Sequence, residues 1–301
     1  MCTKNKSVFI LAFKLKNYKT NNKKYKNIII YGIILLEDGG TMKETIIKTF
    51  PNSGQKIVSL VDNSEFGVCI KKIQKEVDFI SRINKEINIQ KQLDCIYYPK
   101  IYYSEITEQK CLIYEEYIEG DVLSDYIITN GIYYNNEIEC IKLLKDLVIG
   151  LEYVWDKNIV HRDIKPANII IRKSNNKPVI LDLGIAKNLE SSTITEGGMW
   201  GTKGYSSPEQ RFNKRDLFGK RSDMFSLGIV IYELFFGEIP FKGDYDLAFN
   251  SCDFNKNDLN PSENFKNIIS KLLEKQPFKR YKNSTILLND INKFLGGEED
   301  E

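Results

Sequence analysis

"NIVHRDIKPANIIIRK", residues 158–173, carries the only histidine in 301 residues. That histidine, His161, stands two positions before Asp163, and Asp163 stands five before Asn168. Pro166 disfavours a continuous helix here, so the stretch reads as a short loop able to present a carboxylate and an amide oxygen to one site. Lys165 falls on the same side as Asp163 by the two-residue alternation of extended chain. Asp, Lys and Asn so arranged suit a hydroxyl nucleophile, a transferred phosphoryl group and a hard cation. The carboxylate orients the hydroxyl and takes its proton, the ammonium neutralises phosphate charge, and the amide oxygen ligates Mg²⁺. A capped turn with one structural histidine is the plain alternative. Six residue types fixed at these offsets (His161, Arg162, Asp163, Lys165, Pro166, Asn168) arise by chance in roughly one chain in 10⁵, which weighs against it.

Composition bounds the rest. Apolar residues make up 42% and charged residues 28%, a globular composition with enough apolar side chains for a sizeable core. Lys and Arg number 43 against 41 Asp and Glu, a balance that gives no basis for a nucleic-acid or membrane-surface partner. The cysteines (Cys2, Cys69, Cys95, Cys111, Cys140, Cys252) are scattered without a C-x-x-C pair. With one histidine they read as reduced thiols of a cytoplasmic protein rather than as a zinc site. The longest apolar run, residues 28–36, is far too short to span a bilayer. The apolar stretch 7–13 has basic flanks but no small-residue cleavage site, so it does not read as a signal peptide.

Along the chain, residues 44–73 alternate and break at "FPNSGQ" and "DNSEFG", which reads as three strands joined by two turns. Residues 74–93 are charged with helical spacing, and "KCLIYEEYIEG" is a strand ending in a glycine turn. From Glu137 onward, apolar stripes at three-to-four spacing predict helices in "NEIECIKLLKDLVIGLEYVWDK", "SDMFSLGIVIYELFFG" and "SENFKNIISKLLEK". Strands first and helices afterwards point to an α+β protein of two unlike lobes.

"HRDIKPAN" resembles the catalytic loop of eukaryotic-type protein kinases, most closely bacterial Ser/Thr protein kinases. The resemblance extends in order along the chain. Asp182 of "LDLGIAK", fourteen residues past Asn168, is similar to the family's second Mg²⁺ ligand. "GTKGYSSPEQ" resembles the end of an activation segment, with Glu209 placed to pair with Arg280 of "QPFKRY". "SDMFSLGIVIYEL" resembles the buried central helix of the large lobe, its Asp223 anchoring the catalytic loop. On this likeness His161 is architectural, packing under the loop. "VCIKKI" resembles the strand bearing the nucleotide lysine, which assigns Lys71 to the α- and β-phosphates and Glu86 of "INKEINIQKQL" to pair with it, with Glu76 as the alternative. The resemblance further implies that the Glu116 carbonyl and Ile118 amide take the adenine contacts of the hinge and that Val58, Cys69 and Ile170 sandwich the base.

The pattern departs from the family at the glycine-rich loop. Aligned on Val58, "PNSGQKIV" puts Pro51, Ser53 and Lys56 where glycines are typical, leaving Gly54 as a flexible tip. Cβ atoms there obstruct the approach of backbone amides to phosphate. Glu115 stands at the gatekeeper position, and Leu183 and Gln90 stand where the family stacks apolar residues, so a buried Gln90 needs a polar partner. Arg162, just before Asp163, matches the family arginine that helps collect a phosphate on the activation segment, which directs attention to Thr193 and Thr195 as autophosphorylation sites. Thr202 is expected to contact Asp163 and Lys165.

The resemblance implies a two-lobe protein-kinase fold: a small antiparallel sheet of five strands with one main helix (42–118, hinge included) and a larger, mostly helical lobe (119–296), ATP between them. Residues 297–301 form an acidic tail. Residues 1–41 read as an extension of uncertain origin, because "EDGGTM" has the look of a ribosome-binding sequence ahead of a start at Met42. The implied activity is transfer of the ATP γ-phosphoryl group to Ser or Thr hydroxyls of proteins, with Mg²⁺ (or Mn²⁺), in the cytoplasm, the oligomeric state being unreadable. A pseudokinase that binds partners without turnover is the alternative that "PNSGQK" raises.

Overall fold

The computed structural model describes residues 15–16, 29–35, 41–50, 56–75, 80–107, 110–129, 131–183, 202, 204–241, 252–254 and 259–296. The chain divides into two compact units. The first comprises residues 1–92 and 99–117, the second residues 93–98 and 118–301.

The first unit is built on an antiparallel sheet of seven strands: β1 (Leu15–Lys16), β2 (Ile29–Leu35), β3 (Thr41–Thr49), β4 (Lys56–Asn63), β5 (Gly67–Lys75), β6 (Ile101–Ile106) and β7 (Lys110–Glu116). Their order is β1-β2-β3-β4-β5-β7-β6. The five expected strands are β3 to β7. Among the described residues two further strands extend that sheet: β2 pairs with β3 from Ile30 opposite Ile46 to Leu35 opposite Thr41, and β1 pairs with β2. The β4–β5 turn is fixed by Asn63, whose Oδ1 accepts hydrogen bonds from the Glu65 and Phe66 amides at 2.9 and 3.2 Å. Gly67 follows at φ +66°, a backbone region that glycine enters without strain. Helix α1 (Ile80–Lys91) turns Ile83, Ile87 and Gln90 inward at four- and three-residue spacing.

The second unit holds a short sheet, β10-β9-β8 (β8 Gly120–Val122, β9 Ile169–Arg172, β10 Pro178–Ile180), and helices α2 (Leu123–Ile128), α3 (Glu137–Trp155), α4 (Pro208–Arg211), α5 (Lys220–Phe236), α6 (Glu263–Leu272) and α7 (Ser284–Gly296). Asn136 starts α3 by accepting a hydrogen bond from the Glu139 amide at 3.1 Å, and Ser262 starts α6 through the Phe265 amide at 3.2 Å. Helix α5 is apolar on every side and buried from Ser222 through Tyr232, so it forms the centre of the unit rather than one wall. At Gly228 a Cβ would stand 2.9 Å from Leu272 Cβ and from Leu273 Cδ2, so glycine sets how near α6 comes to α5. Residues 93–98 fold with this unit, as the Ile180 amide donates to the Tyr97 carbonyl at 2.7 Å.

Gly228→Leu forces these helices apart. Overpacking of this kind costs about 1–3 kcal/mol, so chemical denaturation should show a clearly lowered midpoint with helical circular dichroism retained. An unchanged midpoint would contradict the close approach.

Candidate active site

The loop after α3 is organised from below by Asp223. This carboxylate is fully buried and lies one turn into α5. Its Oδ2 accepts from Trp155 Nε1 at 2.8 Å and the His161 amide at 2.9 Å; its Oδ1 accepts from the Arg162 amide at 2.8 Å. Burial pushes the Asp223 carboxyl upward, while these N–H donors act in the opposite direction. Arg162 sits at φ +67°, a strained conformation for a side chain of its kind, held by the Asp223 contact.

His161 is fully buried. Its Nε2–H donates to the Leu181 carbonyl at 3.2 Å, and its Nδ1 accepts from the Asp163 amide at 3.3 Å, which selects the neutral tautomer. Burial lowers its pKa below the usual imidazole value. The ring therefore bridges the loop to the chain before Asp182 and remains uncharged near neutral pH.

Above this support the chemistry-bearing side chains converge. Lys165 is in extended conformation and the 3-10 turn Pro166–Asn168 follows it. Lys165 Nζ lies 3.2 Å from Asp163 Oδ2. Asn168 donates both amide N–H groups to Asp163, to the carbonyl at 2.8 Å and to Oδ2 at 3.0 Å, which leaves its Oδ1 as the atom that could meet a cation. Thr202 Oγ1 accepts from Lys165 Nζ at 2.7 Å and donates to Asp163 Oδ1 at 2.8 Å, in line with the sequence expectation. The Leu181 amide bonds the Asn168 carbonyl at 2.8 Å, which sets Asp182, at φ +51°, next to this cluster. Among the described residues no group of three or more His, Cys, Asp or Glu side chains could hold a metal ion. Asn168 with Asp182 makes instead a sparse oxygen donor set. Such a set fits Mg²⁺, which keeps waters and takes phosphate oxygens to complete its shell.

The Glu209–Arg280 pair is a bidentate ion pair, Nη1 to Oε1 at 2.7 Å and Nη2 to Oε2 at 2.9 Å. The other guanidinium N–H groups go to the carbonyls of Glu274, Arg221 and Lys275 at 2.7, 2.8 and 3.1 Å, so each donor has a partner. Ser222 Oγ adds a bond to Glu209 at 2.7 Å. Burial acts to raise the Glu209 carboxyl, but the bonds and charge of Arg280 outweigh it, and its pKa lies below the usual value.

In the first unit the lysine finds a partner that the sequence did not reveal. Lys71 Nζ is ion-paired with Glu44 Oε1, and Tyr114 OH donates to Glu44 Oε2 at 2.7 Å. All three are buried, at 8%, 6% and 0% exposure, so neither charge is solvated and each depends on the other. Among the described atoms Lys71 pairs with Glu44, and the expected Lys71–Glu86 pairing falls outside them. Glu86 lies on α1, its side chain outside the described atoms; Glu76 lies outside the described residues. A signal existed: Glu44 is in phase with Ile46 and Met42 on the alternating strand.

Strand register also corrects Val58. It pairs with Lys72, whereas Ile57 pairs with Ile73, Ser59 with Lys71 and Val61 with Cys69. Partners across antiparallel strands share a face, so Val58 faces away from Cys69 and Lys71, while Ile57 shares their face. The glycine positions then shift to Phe50, Asn52 and Gln55. Gly54 lies outside the described residues, as do Thr193 and Thr195. Cys69 is fully buried and its thiol is pushed up to about 11 by burial. Ile170 is half-buried in β9, opposite Val179 and Val122. The Glu116 amide donates to the Lys100 carbonyl at 2.8 Å, and Ile118 is buried. Buried Glu115 is ion-paired with Lys72, and buried Gln90 donates to the Pro99 carbonyl at 2.9 Å, the polar partner it required.

The protein kinase domain family model matches residues 54–290. This chain belongs to the protein kinase domain family. It is 35% identical over 224 residues to serine/threonine-protein kinase PrkC of Bacillus subtilis (strain 168), covering 71% of this chain and 34% of that protein. It is 32% identical over 195 residues to serine/threonine-protein kinase PknB of Mycobacterium leprae (strain TN), covering 62% and 30%. The chain thus spans about a third of the length of these curated relatives. The fold matches the PknI kinase domain of Mycobacterium tuberculosis with TM-score 0.64 at 17% identity, over 83% of this chain and 95% of that one. The matched span includes Asp163, Lys165, Asn168 and Asp182.

Two buried ion pairs give two predictions. Arg280→Ala strands the Glu209 carboxylate and should lower unfolding free energy by about 3–5 kcal/mol, with Arg280→Lys recovering little because the fork of donors is lost. The depressed Glu209 pKa means that this stabilisation is present above the ordinary carboxylate range and disappears as pH falls through the lower, folded-state value. The wild type should therefore lose more stability on acidification than the Arg280→Ala protein; parallel pH profiles would contradict the pairing. Glu44→Ala should destabilise by a similar ~3–5 kcal/mol, through the stranded Lys71 ammonium. Equal urea midpoints for Glu44→Ala and wild type would show that Lys71 does not depend on Glu44.

Proposed function

We propose that this chain is a serine/threonine protein kinase domain that transfers the ATP γ-phosphoryl group to protein hydroxyls. The observation that carries the reading is the cluster of Asp163, Lys165, Asn168 and Thr202, tied together by bonds of 2.7 to 3.0 Å. The hydroxyl of Thr202 already occupies the place an acceptor hydroxyl needs, donating to Asp163 and accepting from Lys165. A substrate Ser or Thr entering that position meets the same two groups: Asp163 orients it and takes its proton, while Lys165 offsets charge on the transferring phosphoryl group. Asn168 Oδ1 and Asp182 would hold Mg²⁺, which would supply positive charge to offset that of the phosphates. Lys71 engages the α- and β-phosphates. Because Lys71 is held by Glu44, nucleotide must compete with or share that carboxylate.

The lysine at 165, of the form usual in Ser/Thr kinases, and the names of the curated relatives support Ser/Thr rather than Tyr acceptors. The described cysteines are free thiols, in keeping with the reducing cytoplasm where ATP is held. No helix among the described residues is long and apolar enough to cross a membrane. Autophosphorylation at Thr193 or Thr195 is supported by Arg162, whose Nε is buried without a hydrogen-bond partner among the described residues and which stacks 5.7 Å from the Phe218 ring. A phosphate oxygen would satisfy that N–H.

Incubation with Mg²⁺ and labelled ATP tests the reading. Wild type should incorporate label into Ser or Thr, and Asp163→Ala and Lys71→Met should each lose at least ~100-fold. Removal of divalent metal with a chelator should abolish incorporation. Wild-type incorporation no greater than that of Asp163→Ala would assign the chain to a non-catalytic binding role. Phosphopeptide mapping should place label at Thr193 or Thr195; an active protein unmodified at both would remove that part of the proposal.

A further inference from the structure

The second unit carries a cleft of about 1000 Å³ whose described lining includes no residue of the catalytic loop. Its walls come from α4, the 3-10 turn Arg215–Leu217, the first residues of α5 and the segment 275–278 before Arg280. Phe212, Leu217 and Phe278 line it while 48%, 49% and 69% exposed. Three large apolar side chains gathered at one exposed cleft exceed the scattered apolar residues of an ordinary surface.

The charge around this apolar floor is one-sided. Five lysine or arginine residues line the cleft, among them Lys214, Lys220 and Lys282. Of the two acidic residues in the described lining, Glu209 is consumed by Arg280, which leaves Asp216 as the other carboxylate there. Clustered cations repel one another and raise the local concentration of anions, a cost that the fold does not require on exposed turns.

We propose that this cleft docks an acidic segment of a protein substrate, seating one bulky apolar side chain among Phe212, Leu217 and Phe278 with Asp or Glu on either side. The word "substrate" rests on the kinase reading; the acidic, apolar-anchored chemistry rests on the cleft alone. The location serves docking. The wall helix α4 reaches the catalytic loop on its other face, where Gln210 Nε2 donates to the Arg162 carbonyl at 3.0 Å. A protein held in the cleft therefore has its remaining chain close to Asp163, and tethering converts capture of the acceptor into an intramolecular step.

The test uses the full chain and a fluorescein-labelled twelve-residue peptide of Glu and Asp around one central Phe. Controls replace that Phe with Ser, or all acidic residues with Gln. Fluorescence anisotropy should show saturable binding of the first peptide that weakens roughly tenfold when salt rises from about 0.05 to about 0.5 M. The Lys214→Glu/Lys220→Glu/Lys282→Glu protein and Phe278→Ser should each weaken it about tenfold, as should either control peptide. These positions are exposed, and circular dichroism with an unchanged denaturation midpoint verifies the fold of each variant.

In the phosphotransfer assay, joining the acidic peptide to a Ser-containing acceptor should lower KM with kcat unchanged, and the triple variant should remove that gain while phosphorylating the untethered acceptor as wild type does. Absence of peptide binding, equal binding by the triple variant, or preference for the Gln peptide overturns the proposal. Binding that emerges only after deletion of residues 297–301 would assign the cleft to that acidic segment and likewise overturns it. Binding without any phosphotransfer would sink the kinase reading and leave the acidic-peptide cleft standing.

Discussion

A carboxylate that cannot reach water shapes the chemistry of this chain. Asp223 is fully buried and collects N–H donors from Trp155, His161 and Arg162. An ion in that position is tolerated only because each lone pair has somewhere to go. The same bonds dictate the loop: two successive amides must turn inward, so the chain passes through a left-handed residue at Arg162. What emerges on the far side is Asp163, already oriented. The strain at Arg162, of order 1–3 kcal/mol for such a residue, persists because a buried charge over-determines it.

The rest of the second unit repeats the same logic. His161 stays neutral because it is buried, and a neutral imidazole can both accept from the loop and donate toward the chain before Asp182. Glu209 and Arg280 pair where each guanidinium donor is spoken for, which fixes α4 against α5 and the segment ahead of α7. In the first unit Glu44, Lys71 and Tyr114 form another such closed set. Each is worth more for geometry than for stability, since a well-packed apolar replacement of a buried pair is often no less stable.

The catalytic loop, the central helix and the order of strands and helices were legible in the sequence, and for physical reasons. Asp163, Lys165 and Asn168 are a local arrangement, so their spacing encodes their geometry. The all-round apolar pattern of α5 states its burial directly. Partners set by strand pairing were not legible. Lys71 and Glu44 are 27 residues apart and meet only because β3, β4 and β5 align. Ile57 replaces Val58 on the lysine's face because the tight turn at Asn63 sets the register, and a slip of one residue reverses every side chain. The requirement that buried Gln90 find an acceptor was readable; that the acceptor is the Pro99 carbonyl was not. Strands β1 and β2 sit in a segment whose short apolar runs carried no clear period.

The central claim is that Asn168 and Asp182 jointly hold the metal of a nucleotide whose transfer Asp163 serves. A crystal structure of the chain with Mg²⁺ and a non-hydrolysable ATP analogue tests this most directly. The account predicts Mg²⁺ with Asn168 Oδ1 and an Asp182 carboxylate oxygen at about 2.1 Å and analogue phosphate oxygens completing its octahedron. Nucleotide bound without metal at these two side chains, or metal held elsewhere with Asn168 still turned wholly to Asp163, would contradict it.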